Sequence, residues 1–307
     1  MNHPVIEAEN LVKRYGASLA VDGISFSVRE NECFGVLGPN GAGKSTTIKM
    51  ISCSSPVTSG SLRVAGLDVR TSARDVKRRL GVVPQEDNLD EDLPVRKNLE
   101  VYARYYGLSA RVAGPRIDEA LDLFQLTEKA GGKIDDLSGG MKRRLVIARS
   151  LVHEPSILVL DEPTTGLDPQ ARHLVWQKLR LLKSQGVTML LTTHYMDEAV
   201  HLCDRLVIMH RGKVLCEGNP HDLIAEHAGQ RVLELRLARE DLVPLLGEIG
   251  SVPGVAVEEV EDIVYVFGAG SGAERVAGQV GDPSRAFLRP GNLEDVFLRL
   301  TGRGLLD

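Results

Sequence analysis

Gly38-Pro39-Asn40-Gly41-Ala42-Gly43-Lys44-Ser45 fits the pattern GxxxxGK[ST], and its reading decides the fold. An apolar run, Cys33–Leu37, leads into it, and a helical run starts near Thr46. Glycines at these places let successive backbone N–H groups point inward at phosphate oxygens, and the helix N-terminus adds about half a positive charge. Lys44 would reach the β- and γ-phosphates, and the Ser45 hydroxyl would ligate Mg²⁺. By chance roughly one 300-residue chain in a hundred carries the four fixed positions, and the strand–loop–helix context lowers that further.

Two further stretches carry chemistry. Ile157-Leu158-Val159-Leu160-Asp161-Glu162 reads as a buried strand ending in two carboxylates, at the end of the strand where α/β sheets place ligands. A strand that leaves the core through solvated acids is the plain alternative for such a pair, but a phosphate loop needs a metal-binding carboxylate. Asp161 is therefore expected to hold Mg²⁺ through water, and Glu162 to polarise the attacking water as general base. Leu137-Ser138-Gly139-Gly140-Met141 opens a helix with apolar positions Met141, Leu145, Ala148 and Leu151. Its Ser and two glycines form an N-cap and a second set of open N–H groups; the plain alternative is an ordinary N-cap. In the same plain alternative Lys142, Arg143 and Arg144 are simply the solvated face of that helix.

The wider chain agrees with a globular α/β protein. It has 307 residues, 43% hydrophobic and 26% charged, which excludes wholesale disorder and fibrous repeats. Its 37 Lys and Arg against 42 Asp and Glu give a formal net charge of −5, which argues against a dedicated nucleic-acid binder. Aromatics are scarce, at 4%, and the four cysteines, Cys33, Cys53, Cys203 and Cys216, form no CxxC pair, so reduced thiols are expected. The N-terminal stretch lacks the pattern of a signal peptide, and no apolar run approaches the ~18–20 residues of a membrane span.

Short strands, among them Cys33–Leu37, Ile157–Leu160, Thr188–Thr192 and Arg205–His210, alternate with helical patterns to about residue 225. Between about 88 and 155 helical periods take over, with Ile117–Phe124 and Met141–Leu151 as helices and Gly107–Pro115 as a loop. After about residue 228 the order is strand Arg231–Leu237, helix Asp241–Ile249, hairpin Val255–Val260 and Ile263–Phe267, helix Ala273–Val280 and strand Arg285–Arg289. That β-α-β-β-α-β order is the split βαβ pattern of small ferredoxin-like domains. A closing helix is expected from about Leu293 to Leu300 with Asn292 as N-cap.

GPNGAGKST, LSGGM and LVLDEP, in this order and spacing, resemble the ATP-binding subunit of an ABC transporter. Gln85 in Val-Val-Pro-Gln is similar to the Q-loop glutamine, Asp168 in Gly-Leu-Asp to the D-loop aspartate, and His194 in Leu-Leu-Thr-Thr-His to the switch histidine. Tyr15 in Lys-Arg-Tyr-Gly matches the aromatic that stacks on adenine. Singly, a strand-end histidine is more often structural and Tyr15 reads equally as a strand-edge aromatic; the ordered set over residues 5–225 carries the resemblance. It implies a P-loop NTPase sheet core with an inserted helical subdomain, plus a small C-terminal α+β domain. The expected boundaries are 1–227 for the ATP-binding domain, with the helical subdomain at about 88–155, and 228–307 for an accessory domain.

The resemblance implies ATP as ligand and Mg²⁺ as its metal, held by Ser45, Gln85 and Asp161. Gly38, Pro39, Asn40, Gly41, Ala42, Gly43, Lys44, Ser45 and Thr46 would surround the phosphates. Glu162, His194, Gln85 and Lys44 would carry hydrolysis. Ser138, Gly139, Gly140 and Asp168 would serve an ATP held by a second subunit, so a head-to-tail homodimer is implied. Glu86–Asp92 is an acidic stretch where the family docks its membrane subunit, and a solvated loop explains it equally well.

Val83–Asp90, Ala171–Trp176, Leu191–Ala199 and Leu293–Gly302 are similar to subunits that export nodulation lipo-oligosaccharides and to those of daunorubicin-type drug exporters. This implies export of an amphiphilic compound through a separate membrane permease, from the cytoplasmic face of the inner membrane, with no nucleic-acid partner. A soluble ABC ATPase acting on DNA or ribosomes, and an importer subunit, are the alternatives. The accessory domain would brace the dimer or regulate it.

Overall fold

The computed structural model describes residues 4–236, 249, 254–260, 262–268, 272–278, 280 and 285–302. The chain divides into two compact units at Val214/Leu215. That is upstream of the expected 227/228, because helix Pro220–His227 packs against the closing helix Leu293–Thr301.

The first unit holds two sheets. Strands β1 (Pro4–Tyr15), β2 (Ser18–Arg29), β4 (Ser59–Val64) and β5 (Leu67–Asp68) form an antiparallel sheet in the order β2-β1-β4-β5. These strands escape a search for clean alternation because β1 shifts register against β2 at several points, and each shift breaks the period of two.

The second sheet has the order β10-β9-β3-β8-β7-β6, with β3 (Cys33–Leu37), β6 (Leu80–Val83), β7 (Ile157–Asp161), β8 (Thr188–Thr193), β9 (Arg205–His210) and β10 (Lys213–Gly218), the last of which runs on past the division. Neighbours from β9 to β6 run parallel. All residues of β3, β7 and β8 are buried, as covering on both faces requires. Helix α1 (Lys44–Ile51) follows β3, and its Ile48, Met50 and Ile51 share one apolar core with both sheets.

Helix α2 (Ala73–Arg79) precedes β6. The stretch without strands follows: α3 (Val95–Tyr105), α4 (Ala110–Leu123), two 3-10 turns and α5 (Gly139–Leu151). The expected loop Gly107–Pro115 is shorter than its sequence suggests, since α4 starts at Ala110 and contains Pro115. Proline costs that helix one backbone bond, yet Ala113, Ile117, Ala120 and Leu121 recur on one buried face that begins before it. Helices α6 (Pro169–Ser184) and α7 (Met196–Leu202) flank β8. Register pairs Leu37 with Thr193, Asp161 with Thr192 and Val83 with Leu160, so the carboxyl ends of β3, β8, β7 and β6 lie in line.

The second unit contains α8 (Pro220–His227), β11 (Arg231–Leu235), β12 (Val255–Val260), β13 (Ile263–Gly268), α9 (Gly272–Ala277), β14 (Ala286–Pro290) and α10 (Leu293–Thr301). Its sheet runs β12-β13-β11-β14, each neighbour antiparallel. The helix expected over 241–249 lies outside the described residues except for Ile249, which is buried in this unit's core with Leu233, Leu235 and Val266. Asn292 caps α10 through a reciprocal pair with Asp295.

Candidate functional site

Gly38–Gly43 leaves the end of β3 and turns into α1. Gly43 is the N-cap at φ +105°, and a Cβ there would lie 2.6 Å from the Ala20 carbonyl oxygen, so the approach to β2 requires glycine. No side chain caps α1, which leaves its first N–H groups open to an anion. Asn40–Thr46, Ser18–Ala20, Gln85 and Glu162 wall an open cleft of about 410 Å³.

Lys44 is only 4% exposed. Its Nζ donates to the carbonyls of Gly38 at 2.7 Å and Pro39 at 3.1 Å, and stands 3.5 Å from Glu162 Oε1. Burial pulls its pKa below the ordinary value, and the Glu162 and Asp161 carboxylates push against that shift. A cation so placed gains from an anion in the cleft, since a phosphate would restore charge pairing lost on burial.

Asp161 closes β7. Its Oδ1 accepts from Ser45 Oγ at 3.2 Å and from Thr192 Oγ1 at 2.5 Å. Two oxygen donors converging beside a phosphate loop suit a hard cation such as Mg²⁺, which takes one or two protein oxygens plus substrate phosphates. Glu162 follows in the left-handed region at φ +48°, its N–H donating to the carbonyl and the hydroxyl of Thr192. Its Oε2 accepts from Thr165 Oγ1 at 3.1 Å and Gln85 Nε2 at 3.4 Å. His194 Nδ1 lies 3.2 Å from the same oxygen, without hydrogen-bond alignment. Lys44, Ser45, Gln85, Asp161, Glu162 and His194 thus come together at the sheet's carboxyl end.

The other expected residues lie elsewhere on the chain. Tyr15, 47% exposed, shares a hydrogen bond with Ser55 Oγ and carries Lys13 Nζ 4.6 Å above its ring. Ser138 caps α5 by accepting from Met141 N at 3.3 Å, and Asp168 caps α6 by accepting from Ala171 N at 2.9 Å. A Cβ at Gly140 would lie 2.9 Å from Ala171 Cβ, so the starts of α5 and α6 pack side by side. None of Tyr15, Ser138, Gly139, Gly140 and Asp168 lines the cleft.

One plain alternative is overturned. Arg143 is not on a solvated face but 3% exposed, and its guanidinium reaches carbonyls on both sides of the site. Arg144 also turns inward, donating to the Phe124 carbonyl. Three consecutive basic residues read as surface because sequence alone does not show which carbonyls a helix will meet. Thr192 and Thr165, which hold the two carboxylates, and the cleft residues Ser18, Leu19 and Ala20 carry no sequence signal of their own.

A profile of the ABC transporter family matches residues 21–165. The chain is 48% identical to "Nod factor export ATP-binding protein I" of Burkholderia pseudomallei strain K96243, over 98% of each chain. It is 45% identical to the protein of that name from Rhizobium sp. strain N33, over 99% of each. Among solved structures it resembles an ATP-binding subunit of an ABC transporter, with TM-score 0.67, 30% identity and coverage of 73% of this chain and 94% of the other. A dimeric ATP-binding cassette in a post-hydrolysis state, bound to ADP and Pi, matches with TM-score 0.64 and 27% identity, over 70% of this chain and 98% of the other.

Proposed function

The chain belongs to the ATP-binding subunits of ABC transporters, and from that premise we propose that it is the ATPase of an exporter that moves an amphiphilic compound, a lipo-oligosaccharide or a drug-like molecule, through a separate membrane permease. The observation that carries the hydrolytic part is that Lys44, Ser45, Gln85 and Glu162 line one cleft, with Asp161 bonded to Ser45 and His194 beside Glu162 behind them. The export branch rests on whole-length similarity to Nod factor export subunits.

In this reading the amides and Lys44 of the loop bind the β- and γ-phosphates, and Tyr15 stacks on the adenine. Ser45, Asp161 and Gln85 would hold Mg²⁺, which would supply charge neutralisation at the phosphates. Glu162 accepts the proton of the attacking water as general base, with His194 holding the line of attack beside the γ-phosphate. One chain carries one copy of each motif, so a second copy supplies Ser138–Gly140 to the γ-phosphate, and Asp168 works across the seam between the two. ATP then closes the dimer and hydrolysis opens it.

Among the described residues no helix is long and apolar enough to cross a membrane, and the proposal seats the chain peripherally on the cytoplasmic face of the inner membrane. The permease docks beside the exposed acidic residues that follow Gln85, and the second unit braces the dimer. The test is to tag the chain, solubilise native membranes gently and identify the co-purifying proteins by mass spectrometry. A polytopic permease is expected, and reversing the charges of Glu91 and Asp92 should weaken its recovery. Recovery with ribosomes or DNA-repair proteins alone would overturn the export reading.

A further inference from the structure

We propose that Arg143 is a positioning residue for hydrolysis, which holds the backbones of Glu162 and Gln85 together and ties both to helix α5. The proposal rests on the reading of Glu162 as the base. Its physical ground is the use of every guanidinium nitrogen. Nε donates to the Pro163 carbonyl at 2.7 Å, and Nη2 to those of Asp161 and Glu162 at 3.0 Å each. Nη1 donates to the Pro84 carbonyl at 2.5 Å, with the Gln85 carbonyl and Asp87 Oδ1 both at 3.3 Å.

Three consecutive carbonyls at the end of β7, of Asp161, Glu162 and Pro163, and those of Pro84 and Gln85 therefore share one planar cation. A guanidinium has five N–H donors in a rigid fork, whereas an ammonium has three on a flexible stem and cannot serve both loops at once. The clamp also surrounds the strained point. Glu162 sits at φ +48°, a conformation that a non-glycine residue keeps only where its surroundings over-determine it. Its N–H is fixed by Thr192, its carbonyl and both neighbouring carbonyls by Arg143. The Glu162 carbonyl also accepts from Thr165 N at 3.3 Å, a longer bond than those of the fork, and the fork alone spans all three carbonyls of the turn that carries the Glu162 carboxylate.

Arg143 stands in the first turns of α5, whose N-cap is Ser138. A shift of that helix start is passed by a buried, rigid side chain to the base and to Gln85 together. The geometry of hydrolysis in one subunit then depends on what its own Ser138–Gly140 engages. Misplacing a catalytic group by about 1 Å costs on the order of 100-fold in rate, and that is the size of effect expected here.

The experiment compares the wild-type complex, in native membranes or gentle detergent, with Arg143→Lys and Arg143→Met. For Arg143→Met, kcat for ATP should fall by about 100-fold while KM and the equilibrium affinity for ATP stay within about threefold. Arg143→Lys should recover part of the loss. Amide hydrogen exchange should quicken at Gln85–Asp87 and at Glu162 and Thr164 together, with β3 and β8 unchanged. The fluorescence of Trp176, which reaches Thr164 through Glu198, should report the same loosening. Unchanged kcat, exchange that quickens throughout the first unit by one factor, or exchange that changes in only one of the two loops would each overturn the proposal. If the wild-type complex hydrolyses no ATP, the functional reading fails, and the exchange pattern still decides whether Arg143 holds both loops.

Discussion

A general base works only if its carboxylate is held at a fixed place beside the phosphate, and three side chains hold that of Glu162, the proposed base: Lys44, Gln85 and Thr165. Glu162→Gln keeps the shape and removes the proton acceptor, so turnover should fall by about 10²- to 10⁴-fold with ATP affinity unchanged, as phosphate release and equilibrium binding would measure. A second glutamate makes a pH prediction. Glu198 is fully buried, accepts from Thr164 and Trp176, and burial raises its pKa. Its native form therefore keeps a proton that the unfolded chain releases at lower pH. Stability drawn from that proton is complete below the ordinary carboxylate range and is lost as pH rises through the raised value. Relative to wild type, Glu198→Gln should gain melting temperature steadily as pH rises from about 4.5; a constant difference across pH would contradict this. The residues proposed to carry the chemistry stand out in the sequence because phosphate and metal binding demand particular types at particular spacings. Thr192, Thr165 and Arg143 do not, since each acts through a neighbour that only the fold supplies.

At the scale of elements, strands β3, β7, β8 and β9 could be read directly, because burial on both faces writes an unbroken apolar run. β1 and β2 could not, since their register shifts scramble the alternation. Pro115 hides the first turns of helix α4 from the sequence, yet its local cost is outweighed by the buried face that spans it. Caps were legible, because an Asn or Ser ahead of an apolar period satisfies N–H groups that no helix can satisfy itself. The capping box of Asn292 and Asp295 gives a direct check, strengthened by Arg289 holding the same Asp295 carboxylate. Asn292→Ala should lower the stability of the second unit by about 1 kcal/mol, read from the denaturant midpoint of its transition. The nucleotide affinity of the first unit should not change.

At the scale of the whole molecule, the division at Val214/Leu215 gives α8 to the second unit, so a cut near residue 228 strands that helix without its partner α10. A chain ending after Gly218 is the cleaner test of the brace. It should bind ATP as the full chain does and dimerise more weakly by sedimentation; undiminished dimerisation would remove the bracing role. The central claim is that two copies close around ATP and that hydrolysis releases them. The most direct measurement is the light-scattering mass of Glu162→Gln with ATP and Mg²⁺ and then with ADP. The account predicts twice the mass of one chain with ATP and a single chain with ADP. A single-chain mass with ATP fully bound would contradict it.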